Sequence, residues 1–143
     1  MPNRNVVLDR LRAILEHVET INERMANIHQ PADFRSKNGS LIFDAILIRL
    51  QALGENIKKI EEIEPGFVAD TLSLDVDNII RFRDIISHHY DKLDTEIIYD
   101  IILLKLPDLK SAVEKHLKGP NLLQKKAPKL IEKRIVKGRG KKL

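Results

Sequence analysis

The chain has 143 residues, 43% of them hydrophobic and 32% charged, with a formal net charge of +4. That length suits one hydrophobic core, and an aromatic content of 4% without tryptophan makes that core aliphatic. The absence of cysteine excludes disulfides, zinc–thiolate centres and cysteine nucleophiles, and no apolar run has the length of a signal peptide or a membrane span, so a cytoplasmic protein without a membrane partner is expected.

The spacing predicts a first helix from about Val6 to Ile28, capped by Asn3 or Asn5. Val7, Leu11, Ile14, Val18, Ile21, Met25 and Ile28 recur four and three residues apart, as in the seam of a helical bundle. Pro31 and the polar run Ser36-Lys37-Asn38-Gly39-Ser40 break the pattern. A second helix, opened by Ser40 or Asp44, runs to about Ile63 with Phe43, Ile46, Leu50, Leu53, Ile57 and Ile60 as its seam. Gly54 lies inside it at a cost of ~1 kcal/mol relative to alanine, which implies close approach of another helix or a ligand. Pro65-Gly66 ends the segment, and residues 67–74 read as a short helical turn.

A third helix fits Asp75 to about His88, and residues 91–94 form a turn. Thr95 caps a fourth helix through Leu106. Pro107 interrupts it and opens a fifth, shorter helix to Leu117, which Gly119-Pro120 closes. From Lys118 onward there are ten Lys/Arg and one acid, Glu132, a net of +9 that leaves about −5 for the preceding residues. Such a tail either touches nucleic acid or solubilises a mobile end. The expected architecture is all-α: an up-down antiparallel bundle of four to five helices over residues 1–118, followed by a basic, flexible tail over residues 119–143.

The third helix carries the chemistry. At 3.6 residues per turn, Val76, Ile79, Ile80 and Ile86 share one face, and Arg83 falls in the middle of it. A guanidinium there needs an acidic partner, such as Glu55, or a wet interface. Tyr90 lies nearly above Arg83, whereas His88 is about 140° around a straight helix. The two could converge if the helix ends or tightens near Ser87. Alternatively, a symmetric dimer could set two copies face to face as one cationic cleft. Arginine holds phosphates and histidine moves protons near neutral pH, the two tools of a metal-free ribonuclease. His88 and His89 also suit a helix C-terminus. His17, His29 and His116 are scattered, so neither a metal site nor a cofactor is expected.

Arg83-Asp84-(Ile85-Ile86-Ser87)-His88-His89-Tyr90 resembles the motif of HEPN-domain ribonucleases, specifically the HepT-like toxins of prokaryotic toxin–antitoxin pairs. Gln51-Ala52-Leu53-Gly54-Glu55 looks like the family's second-helix segment, and Leu106-Pro107-Asp108-Leu109 like its final helix entry. Val76 stands where many relatives carry tryptophan, a departure that affects packing more than chemistry. The resemblance covers about Val6 to Leu117 and omits the basic tail.

It implies an all-helical homodimer that cleaves RNA (tRNA or mRNA) without metal. His88 would be the general acid/base, Arg83 the phosphate ligand and Asp84 an orienting residue. Tyr90 would be the site of adenylylation by a cognate MNT-type nucleotidyltransferase antitoxin, as in a type VII-like system. Two other readings of the same residues are a non-catalytic HEPN module that binds nucleotides or partners, and a plain helical interaction protein with Arg83 as an ion-pair partner.

Overall fold

The computed structural model describes residues 2–126, all of whose regular elements are helical. Five helices are present: α1 (Pro2–Arg24), α2 (Lys37–Ile63), α3 (Val76–His88), α4 (Thr95–Asp100) and α5 (Leu106–Lys126). The described residues fall into two units, divided between Val113 and Glu114. In the second unit residues 114–126 are helical apart from Gly119, whose φ of 69° breaks α5. Glycine reaches that backbone region without penalty. The basic tail from residue 127 lies outside the described residues. No described helix is long and apolar enough to cross a membrane.

α1 and α2 run antiparallel. Arg10 donates to Asn56 Oδ1 at 3.0 Å, and Arg49 donates to His17 Nδ1 at 3.1 Å. Advancing seven positions on one helix therefore matches retreating seven on the other. Between them Val7, Leu11, Ile14, Val18 and Ile21 are buried against Ile46, Leu50, Leu53, Ile57 and Ile60, so both aliphatic seams read from the sequence form the core. Leu47 is buried beside them.

The helix boundaries differ from the sequence reading, for local reasons. α1 opens at Pro2, a residue suited to a first helical turn, so Asn3 and Asn5 lie inside the helix and not ahead of it. It closes at Arg24, before a 3₁₀ turn over Met25–Asn27 and the extended Ile28. Ser36, not Ser40 or Asp44, caps α2, its Oγ accepting the Gly39 N–H at 2.9 Å. The connector is also more than a polar break. Pro31–Arg35 forms a 3₁₀ turn that buries Phe34 against Phe43 and Tyr99, with ring centroids 4.9 and 6.3 Å apart. Arg35 donates to Thr95 Oγ1 at 3.0 Å, so this turn anchors the start of α4.

Asp94, one residue before Thr95, caps α4 by accepting the Glu96 N–H at 2.8 Å. Pro107 does not interrupt the rod that follows. Proline lacks a donor and clashes with the carbonyl four residues back, and the chain meets this with a π-helical stretch over Ile101–Lys105 just upstream. There the Leu106 N–H reaches Ile101 O, five residues back, and the helix continues. Ile98, Ile102, Leu106, Leu109 and Val113 stay buried along this rod. A second π-helical turn, Phe67–Thr71, seats Phe67 and Val68 in the core where a short helical turn was expected.

The His17–Arg49 contact has a thermodynamic signature. Burial, then the Arg49 charge, holds the His17 imidazole below its ordinary value of 6.5, against a smaller opposing pull from Glu16. The folded state therefore takes up this proton less readily than the unfolded chain. The contribution to stability is complete above about pH 6.5 and is lost as pH falls through the lowered folded value. Melting temperature measured by circular dichroism over that range should fall for the wild-type chain, and His17→Gln should flatten the slope.

Candidate functional site

Asp75 caps α3, its side chain accepting the Asn78 N–H at 3.1 Å. It crosses α2 where α2 carries Gly54. A Cβ built on Gly54 would stand 2.6 Å from Cβ of Arg83, closer than two carbons can pack. The close approach anticipated at this glycine is therefore that of a helix, at the arginine itself.

With the backbones this near, Glu55 meets the guanidinium. Arg83 Nε and Nη2 both donate to Glu55 Oε1, at 2.9 and 2.5 Å, and Nη1 donates to Asp84 Oδ1 at 2.5 Å. The Arg83 side chain is 18% exposed and that of Glu55 39%. The hydrogen bond from Arg83 is the largest influence on Glu55 and draws its carboxyl below the usual carboxylate range. The reciprocal bond raises the guanidinium further above its already high value. The ion pair that a half-buried arginine on an apolar face requires is thus present, with the partner the sequence named.

A guanidinium has five N–H groups, and these contacts engage three. One N–H on each Nη nitrogen remains, and charged donors of this kind bind phosphate oxygens. The trio of Arg83, Glu55 and Asp84 carries one positive and two negative charges. This trio is therefore not positive by formal charge, and the cationic cleft was expected only of two copies placed face to face. An anion here would be held by directed N–H groups rather than by excess charge.

The remaining motif residues follow α3 to its end. Ser87 donates to Arg83 O at 3.1 Å and accepts from Gln51 Nε2 at 2.9 Å. His88 is the last residue of α3 and is exposed. His89 leaves the helix (φ −133°, ψ 36°), and Tyr90 opens a 3₁₀ turn, Tyr90–Lys92. Because α3 stays α-helical through His88, it does not tighten at Ser87 to turn His88 toward Arg83. The structure joins Arg83 with Asp84 and Glu55, and among the described residues no side-chain hydrogen bond or ion pair joins His88 to them.

The apolar face of α3 is also less covered than its periodicity implied. Only Ile86 is buried, Val76, Ile79 and Ile80 are half-buried, and Ile85 is exposed. Beside this face lies a cavity of about 350 Å³ between α2, α3 and the start of α5, lined among others by Leu53, Gly54, Ile79, Phe82, Leu106 and Leu109.

One residue of this region escaped the sequence reading. The Tyr90 hydroxyl donates to Asp44 Oδ1, and that bond, with burial and the Asp44 charge acting in the same direction, raises the phenol above its ordinary value of 10.0. Asp44 was visible only as a possible helix opener. The signal that could have found it is a polar stripe: Asp44, Gln51 and Glu55 on α2 face, in antiparallel order, Tyr90 in the turn after α3 and Ser87 and Arg83 on α3. Among the described residues no group of three or more His, Asp or Glu is arranged to hold a metal ion.

The described residues thus form an all-helical bundle, with Arg83 and His88 on its third helix and Tyr90 in the turn that follows. The family model described as ribonuclease HepT-like matches residues 14–116. The chain belongs to the HepT-like ribonuclease family. No curated protein and no solved structure matches it.

The packing at Gly54 gives a sharp test. Gly54→Ala should gain ~1 kcal/mol in helix propensity yet lose ~1–3 kcal/mol to overpacking against Arg83. A net fall in unfolding free energy in urea is expected.

Proposed function

We propose that this chain is a metal-independent RNA endonuclease, the toxin of a type VII-like toxin–antitoxin pair, acting in the cytoplasm as a homodimer. The observation that carries this reading is the state of Arg83: within a chain of a ribonuclease family, its guanidinium is fixed in orientation by Glu55 while two N–H groups are left for a ligand.

In this mechanism Arg83 holds the scissile phosphate and stabilises the charge that develops on it. His88 is the general acid/base, removing the proton of the ribose 2′-hydroxyl or supplying one to the leaving oxygen, a role worth ~10²–10⁴ in rate. Attack by that hydroxyl leaves a cyclic phosphate, and DNA, which lacks it, is spared. Asp84 orients Arg83 through the bond to Nη1. Since His88 stands about 140° from Arg83 on a straight helix, the arginine and histidine that share a phosphate come from different copies. The half-covered face of α3 supports such a pairing. The basic residues beyond Lys118 draw tRNA or mRNA to a site whose own charge is not positive.

Tyr90 is the regulatory residue in this reading. An MNT-type nucleotidyltransferase antitoxin adds adenylate to its hydroxyl, which is 46% exposed as a residue and stands at the end of the same helix. The product places bulk and negative charge where the RNA phosphate must bind.

A second reading is favoured by the same ion pair: Arg83 as a structural element of a non-catalytic module. The two separate cleanly. In the nuclease reading Arg83→Ala and His88→Ala each abolish cleavage of a tRNA pool in the presence of chelator, and His88→Ala, at an exposed position, melts like the wild type. In the structural reading Arg83→Ala lowers the melting temperature, and neither the wild type nor His88→Ala cuts RNA.

A further inference from the structure

Asp44 has no part in RNA cleavage as set out above, yet it meets the one hydroxyl that the regulatory reading singles out. It projects from the second turn of α2 and is exposed. Its Oδ1 accepts the Tyr90 hydroxyl. On either side of it along the same stripe, Leu41 and Ile48 are 66% and 67% exposed. The Tyr90–Asp44 pair thus sits at an open surface with an apolar border, reachable by the active site of another protein.

We propose that Asp44 is the base that takes the Tyr90 proton when the hydroxyl is converted to a phosphodiester. This rests on the reading of Tyr90 as the adenylylated residue. Tyr90 Oη attacks the α-phosphorus of a nucleoside triphosphate, forming the O–P bond. The bond from that phosphorus to the bridging oxygen breaks, and pyrophosphate leaves with the electron pair. The proton of Oη passes to Asp44 Oδ1 and then to solvent.

A base is needed because the phenol stays protonated at neutral pH, all the more so beside a carboxylate. As the new bond forms, the hydroxyl becomes strongly acidic, and an acceptor already hydrogen-bonded to it removes the proton without reorganisation. Tyr90 is flanked in its own turn by His89 and Asp91, and from α2 the charged side chain that meets it is Asp44. After transfer the phosphodiester anion would stand beside the Asp44 carboxylate with no proton between them. Like charge then disfavours the old contact and frees the turn to move its new group toward Arg83.

The test uses the full chain with adenosine triphosphate and the product of the adjacent open reading frame, following adenylate addition by intact mass across a pH series. Asp44→Asn keeps an oxygen acceptor but not its basicity. It should slow modification by ~10²–10⁴ at an unchanged KM for the nucleotide. The residual rate should climb about tenfold per pH unit as hydroxide replaces the carboxylate, while the wild-type rate is level through neutrality. Asp44→Glu should restore most of the rate. Modification of Asp44→Asn at the wild-type rate with a level profile would overturn the assignment and leave the Tyr90 reading standing. A wild-type chain that gains no adenylate on Tyr90 would overturn both.

Discussion

The structure depends on one contact, the guanidinium of Arg83 held by Glu55 across Gly54. A charged group in the middle of an apolar helix face is tolerable only if an opposite charge reaches it. Glu55 reaches it because the neighbouring glycine lets α2 and α3 touch backbone to side-chain stem. Once that pair is set, the antiparallel register of the two helices is fixed. Gln51 then falls opposite Ser87, and Asp44 opposite Tyr90. The polar stripe that carries the proposed chemistry is a consequence of the register, and the register is a consequence of the ion pair.

The same contact explains how one arginine can be structural and still available. Glu55 takes its Nε edge and Asp84 one Nη1 hydrogen, leaving two of the five N–H donors without a partner within the described residues. The cost is electrostatic: two carboxylates cancel the charge that would attract a polyanion from a distance. A ribonuclease built in this way separates recruitment from grip. In the proposed nuclease, long-range attraction would fall to the lysines and arginines after Gly119, and the bundle would supply directed hydrogen bonds at short range.

Much of this was legible in the sequence because aliphatic periodicity reports directly on burial. The seams of α1 and α2, the extent of α3 from Asp75 to His88, the close approach at Gly54 and the acid opposite Arg83 are all written in spacing and residue type. What was not legible depends on partners distant in sequence or on backbone adjustments without a composition signature. Phe34 is buried only because Tyr99 and Phe43 converge on it. Pro107 continues a helix because a π-helical stretch upstream absorbs the clash. Asp44 reads as an ordinary surface acid until the α2–α3 register is known. The face of α3 misled in the other direction, since periodicity marks which residues are apolar and not whether one chain suffices to cover them.

If Arg83 of one copy and His88 of another act on one phosphate, two inactive variants should complement each other when mixed. Arg83→Ala and His88→Ala, each inactive alone, are combined under conditions that exchange subunits, and RNA cleavage is followed with chelator present. A mixed dimer then holds one site with both groups intact and one with neither, so activity should return to roughly a quarter of wild type by random pairing. A mixture as inactive as its components, with mixed dimers demonstrably formed, would contradict the account.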